Sequence, residues 1–255
     1  MTTDRRAFLA LTGAALACRS APPPSARSDG RCKAIVFDAL AIFDSRPVAL
    51  LAEALFPNSG SALMAAWRSR QFEYQWLHAL GRKYVDFPRA TQDSLVYAAK
   101  QLQLRLSPEE CSHLTSAWTH LPLWPDTAGA VRALRATGWR LAILSNMTAA
   151  VLQEGLKAAQ LDTQFEAVLS TDRIRSYKPD PAAYALILDE LQLRREEILF
   201  VAFAGWDVAG AGWFGLPTFW LNRLGSPAEE LHAQADGAGA DLHALEQYSR
   251  TLRTG

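Results

Sequence analysis

Short apolar runs alternate with helical stretches along the second half of the chain, and this alternation restricts the fold more than any other feature. The runs are residues 140–144 (RLAIL), 167–170 (AVLS), 198–203 (ILFVAF) and 217–221 (PTFWL). Before and between them, residues 126–138, 148–159, 181–191 and 208–214 carry helical spacing. Strands separated by helices need crossover connections, and so build a parallel sheet. A further run, residues 33–37 (KAIVF), stands alone far upstream. It suits a strand buried on both faces.

No strand pattern appears from residue 47 to about residue 121. Ala52, Leu55 and Phe56 make one apolar stripe, Leu63, Trp67, Phe72, Trp76 and Leu80 a second, and Leu95, Ala98, Ala99 and Leu102 a third. Their spacing of three and four residues is helical. Ser107 followed by Pro108 marks a helix start. The fold class is therefore α/β, a Rossmann-like parallel sheet core with an inserted all-helical cap domain. The core takes residues 32–47 and 122–250, the cap residues 48–121. Residues 233–240, rich in Ala and Gly, read as a loop to the last helix.

Residues 1–31 stand apart. Arg5-Arg6 precede an apolar run over residues 7–17, too short for a bilayer, which takes about 20 residues. A charged start, a short apolar stretch and small residues make an export signal, and the paired arginines resemble the twin-arginine type. Cys18 after Ala15-Leu16-Ala17 resembles a lipoprotein cleavage site, so a periplasmic protein is expected, membrane-anchored if Cys18 is lipidated. Prolines 22–24 open a stiff linker. Lys+Arg and Asp+Glu number 26 each, which leaves no basic footprint for nucleic acid. Three cysteines make no disulfide framework.

Sites in open parallel sheets lie at the carboxyl ends of the strands. Here those ends carry Asp38, Ser145-Asn146 and Gly205-Trp206-Asp207, with Lys178 before the helix at 181. Each has a plainer reading too: Asp38 as a turn or helix cap, Ser145-Asn146 as a turn, Lys178 as a solvated side chain, Asp207 as N-cap of a helix from 208. Residues 210–215 (GAGWFG) match a dinucleotide fingerprint, but at a helix end, the wrong context. His78, His113, His120, His232 and His243 show no metal-ligand spacing. No Gly-x-Ser-x-Gly elbow occurs. No cofactor or metal is expected.

In their order and spacing, VFDA (36–39), WRSRQFEYQWL (67–77), LAILSN (141–146), YKPDPAAY (177–184) and ILFVAFAGWD (198–207) resemble the haloacid dehalogenase superfamily, and most of all its type II 2-haloacid dehalogenases. The resemblance runs from about residue 33 to residue 223. It implies a metal-independent hydrolase that takes halide from short 2-haloacids, or acts on another small carboxylate. Asp38 would be the nucleophile and form an aspartyl ester. Lys178 would keep Asp38 charged, and Asp207 would activate the hydrolytic water. Ser145 and Asn146 would donate hydrogen bonds to the substrate carboxylate and the halide. Arg68, on the cap, would meet the carboxylate or the departing halide with its planar fork; Arg70 and Arg82 are alternatives. Trp206 and Tyr184 would wall an apolar pocket, while Trp67 and Phe72 read more readily as plain core. A homodimer is a further implication.

Departures from the pattern leave alternatives open. Leu40 stands where the superfamily's phosphatases carry a second aspartate, which argues against a magnesium-dependent phosphatase. The first motif, DALAIFD (38–44), is one residue short and lacks the usual Gly and Thr. Ala202, Phe203 and Ala204 stand where Ser and Asn are usual. A drier pocket with a different substrate, or a non-catalytic binding protein, would fit these changes.

Overall fold

A strand that is apolar on both faces needs cover on both sides, and the five runs read from the sequence all become strands between two layers of helices. A computed structural model describes residues 32–252; the export-signal reading of residues 1–31, with Cys18, lies outside the described residues. Among these there are six strands: β1 (Ala34–Phe37), β2 (Arg140–Ser145), β3 (Ala167–Ser170), β4 (Ile198–Ala202), β5 (Thr218–Leu221) and β6 (Gly237–Gly239). All pair in parallel in the order β3-β2-β1-β4-β5-β6. Ten α-helices accompany them in the same residues: α1 (Ala39–Ile42), α2 (Arg46–Leu55), α3 (Gly60–Leu80), α4 (Phe87–Gln101), α5 (Pro108–Ala117), α6 (Thr127–Ala136), α7 (Ala149–Ala158), α8 (Pro181–Leu191), α9 (Gly205–Phe214) and α10 (Leu242–Thr251).

Alternation within each strand sorts the two faces. Ile35, Phe37, Leu141 and Ile143 share one cluster with Val131, Leu152 and Leu245 of α6, α7 and α10. Ala34, Val36, Ala142 and Leu144 share the other with Ile187 and Val208 of α8 and α9. β6 was not evident in the sequence, where residues 233–240 read as loop. Glycines have no side chain to signal a strand, but here the backbone must come close: a Cβ on Gly237 would lie 2.8 Å from Tyr248 and 2.9 Å from Phe219. Asn222 N donating to Gly239 O fixes the register.

Helices α2 to α5 form the insert, and the chain enters and leaves it side by side. Phe43 and Leu123 form an antiparallel bridge, and Asp44 N donates to Pro122 O at 2.8 Å. Ser107 caps α5 with the reciprocal Glu110 bond of a capping box. The buried ridge of α3 is Leu63, Trp67, Gln71 and Gln75, in steps of four. The stripe read from the sequence shared only its first half with this ridge, and Leu80, its last member, is 83% exposed. Trp67 is core, edge-on to Trp118 at 6.0 Å, a geometry that adds about 0.5–1.5 kcal/mol to the area buried. No helix among the described residues is long and apolar enough to cross a membrane.

Candidate active site

The register of the central strands gathers the site. Phe37 pairs with Ile143 on one side and Val201 on the other, so Asp38 follows β1 level with the tips of β2 and β4. Its carboxylate has two partners. Oδ2 accepts the Leu40 N–H at 3.0 Å, which makes Asp38 the N-cap of α1, and Oδ1 accepts from Lys178 Nζ at 2.8 Å. The helix-cap and nucleophile readings of Asp38 are therefore compatible.

Lys178 Nζ also lies 2.5 Å from Asp207 Oδ2, and Tyr184 Oη donates to Asp207 Oδ1 at 2.6 Å. Lys178 and Asp207 are each 1% exposed, while the Asp38 side chain keeps 14%. Burial alone would discharge the ammonium, but Asp207 and Asp38 together hold its pKa above the ordinary value. Burial pushes the Asp207 carboxyl up; Lys178 opposes this, Asp38 adds to it, and the net direction is up. A raised carboxylate is a stronger proton acceptor than an ordinary one. Helix α9 starts at Gly205, with Ala204 at its N-cap position, so Asp207 sits in the first turn and the plainer N-cap alternative for it does not hold. Tyr184 is fully buried behind Asp207 instead of walling the pocket, since its hydroxyl is drawn to that carboxylate and its ring packs against Phe200 and Phe214.

Asp38, Lys178 and Asp207 line a cavity of about 400 Å³ between the sheet tips and the insert, together with Ser145, Asn146, Trp206 and Arg68. Phe72, read as core, lines it as well. The Arg68 guanidinium lies 4.6 Å from the ring centres of both Phe72 and Trp118 and, among the described residues, makes no salt bridge. Burial pulls it down to about 10, with Asp38 opposing, so it is charged at neutral pH and free to meet an anion. Arg70 points elsewhere: it pairs with Glu73 and covers Tyr97.

Three polar side chains escaped the sequence reading. Gln71 Nε2 donates to Thr91 Oγ1 at 2.5 Å, which turns its Oε1 toward Arg68 Nη1, its hydrogen-bond donor. Gln75 Oε1 accepts from Asn146 Nδ2 at 2.9 Å, while Asn146 Oδ1 accepts the Lys178 N–H. Part of the donor capacity expected of Asn146 for a ligand is thus spent on the cap. Ser145 Oγ accepts the Met147 N–H at 3.0 Å, which leaves its own proton for a ligand. Beside Gln75, Trp76 Nε1 donates to the Lys178 carbonyl at 3.1 Å.

The residues do not fit a divalent cation. Lys178 Nζ already bridges the two carboxylates, Leu40 offers only its amide, and no group of three potential ligands forms among the described residues.

The Arg68 pKa gives a pH dependence. The charged form is the one that attracts a carboxylate, and it is lost as pH rises through about 10. KM for an anionic substrate therefore climbs about tenfold per unit above that point. A KM that is constant to pH 11 would take Arg68 out of substrate binding.

The comparisons agree with this geometry. Residues 33–215 match the model of the haloacid dehalogenase-like hydrolases. "Haloacetate dehalogenase H-2" of Moraxella sp. (strain B) is 36% identical over 207 residues, covering 81% of this chain and 92% of its own. The solved L-2-haloacid dehalogenase RSc1362 superposes with a TM-score of 0.83 at 40% identity, over 86% of this chain and 99% of its own. The L-2-haloacid dehalogenase of Xanthobacter autotrophicus with chloropropionic acid covalently bound gives 0.78 at 31% identity, over 86% and 98%. With the motifs in order, the strand tips converging and the match running over most of the folded chain, this protein belongs to the haloacid dehalogenase-like hydrolases.

Proposed function

We propose that the protein hydrolyses the carbon–halogen bond of 2-haloacids through an ester on Asp38. The observation that carries this is the placement of a carboxylate between two fixed cations, the Lys178 ammonium behind it and the unpaired Arg68 guanidinium across the cavity. Arg68 takes the substrate carboxylate. An Asp38 oxygen attacks the α-carbon from the side opposite the halogen; a C–O bond forms, the C–X bond breaks, and halide leaves with the bonding electrons. No proton donor is needed for that departure. Water then attacks the Asp38 ester carbonyl and loses a proton to Asp207, the raised carboxylate beside it. The 2-hydroxy acid leaves with a proton, Asp38 is restored, and halide and one proton are the other net products. A relative solved with chloropropionic acid covalently bound supports the ester.

Chloride release from L-2-chloropropionate tests the activity, and Asp207→Asn tests the second step. With its proton acceptor removed, this variant should accumulate the ester, seen by mass spectrometry as an acyl adduct on the peptide holding Asp38. An adduct-free spectrum after prolonged incubation would remove Asp207 from ester hydrolysis. Tight haloacid binding without any chloride release would favour a binding protein instead.

The export reading of residues 1–31 and the lipidation of Cys18 rest on sequence; fractionation of cells expressing Arg5→Lys/Arg6→Lys beside wild type tests them. A homodimer is tested by light scattering of the folded protein.

A further inference from the structure

We infer that the enzyme prefers 2-haloacids carrying a long apolar chain, an inference that rests on the dehalogenase reading and narrows it. Asp38, Lys178 and Asp207 line the cavity at the strand tips and Arg68 lies across from them, while Arg46, the remaining charged lining residue, is paired with Asp44. Much of the remaining wall is apolar. Leu40 and Phe203 follow β1 and β4, Met147 follows β2, Met64 comes from α3, and Leu224 follows β5.

By volume, a short acid would use less than half of this space. The cavity measures about 400 Å³. A three-carbon 2-chloroacid has about six non-hydrogen atoms and, at roughly 30 Å³ for each water-sized group, fills ~180 Å³. The rest of the space, bordered by these apolar side chains, would then hold water. Leu224 is 59% exposed, and Leu40, Met64 and Phe203 are only partly buried. Apolar surface left in water by the free protein is what an alkyl chain covers on binding. Two of the five side chains are methionines, which adjust to chains of different shape.

The test is kcat/KM for chloride release from L-2-chloropropionate, L-2-chlorobutanoate and L-2-chlorohexanoate. The expected rise is about fourfold per added methylene, hence roughly 60-fold from the propionate to the hexanoate. Leu224→Ser, at a position exposed enough to leave folding intact, lowers the hexanoate-to-propionate ratio several-fold. A flat or falling series, with chloride still released from the propionate, overturns the chain-length inference and leaves the dehalogenase reading standing. An unchanged ratio in Leu224→Ser also overturns it. No chloride from any of the three acids overturns both.

Discussion

Asp38→Asn lowers halide release by at least ~10⁴-fold while the protein stays folded. The amide has the size of the carboxylate, and its oxygen still accepts the Leu40 N–H that caps α1. What it loses is the negative charge that displaces halide and pairs with Lys178. The ammonium keeps its 2.5 Å contact with Asp207, so no buried charge is stranded and the melting temperature moves by only a few degrees. A chloride electrode reads the first effect and a circular dichroism melt the second. Residual turnover within tenfold of wild type would mean that another group is the nucleophile.

Lys178→Met damages both activity and stability. Removing the ammonium leaves Asp207, 1% exposed, and Asp38 facing each other without a counter-charge. Breaking a buried pair from one side costs about 3–5 kcal/mol, a large part of the ~5–15 kcal/mol that holds a domain folded. The sign with pH follows from the carboxylates. Without Lys178 to oppose burial, Asp207 is forced further toward its protonated form in the folded variant, so stability recovers as pH falls and the deficit grows as pH rises. Urea unfolding at two pH values measures this. Lys178→Met/Asp207→Asn separates charge from packing: it regains much of the stability and none of the turnover. If the double variant is no more stable than the single one, lost packing explains the defect and the charge argument fails.

Asp38, Lys178 and Asp207 were legible because strand tips in a parallel sheet are easy to locate and each residue stands beside an apolar run. Ser145 and Asn146 followed for the same reason. Gln71, Gln75 and Thr91 were not, since glutamine on a long helix ordinarily reads as solvent-facing. A signal was present in the four-residue steps from Leu63 through Trp67, which continue into both glutamines, but the aromatic stripe through Phe72 and Trp76 outweighed it. Tyr184 was placed at the correct end of the sheet but on the wrong side of Asp207. Its hydroxyl direction depends on a long-range contact, and periodicity carries no information about that. The short strand β6 was hidden because two of its three residues are glycines chosen for close backbone approach.

The side-by-side crossing at Phe43 and Leu123 has a consequence for how such a protein diversifies. Because the two ends of the insert are neighbours, a different lobe can be grafted at that seam without reordering the sheet. The scissile chemistry stays on the scaffold with Asp38, while Arg68, to which we assign anion capture, travels with the graft. Selection can then alter what is admitted separately from what is done to it.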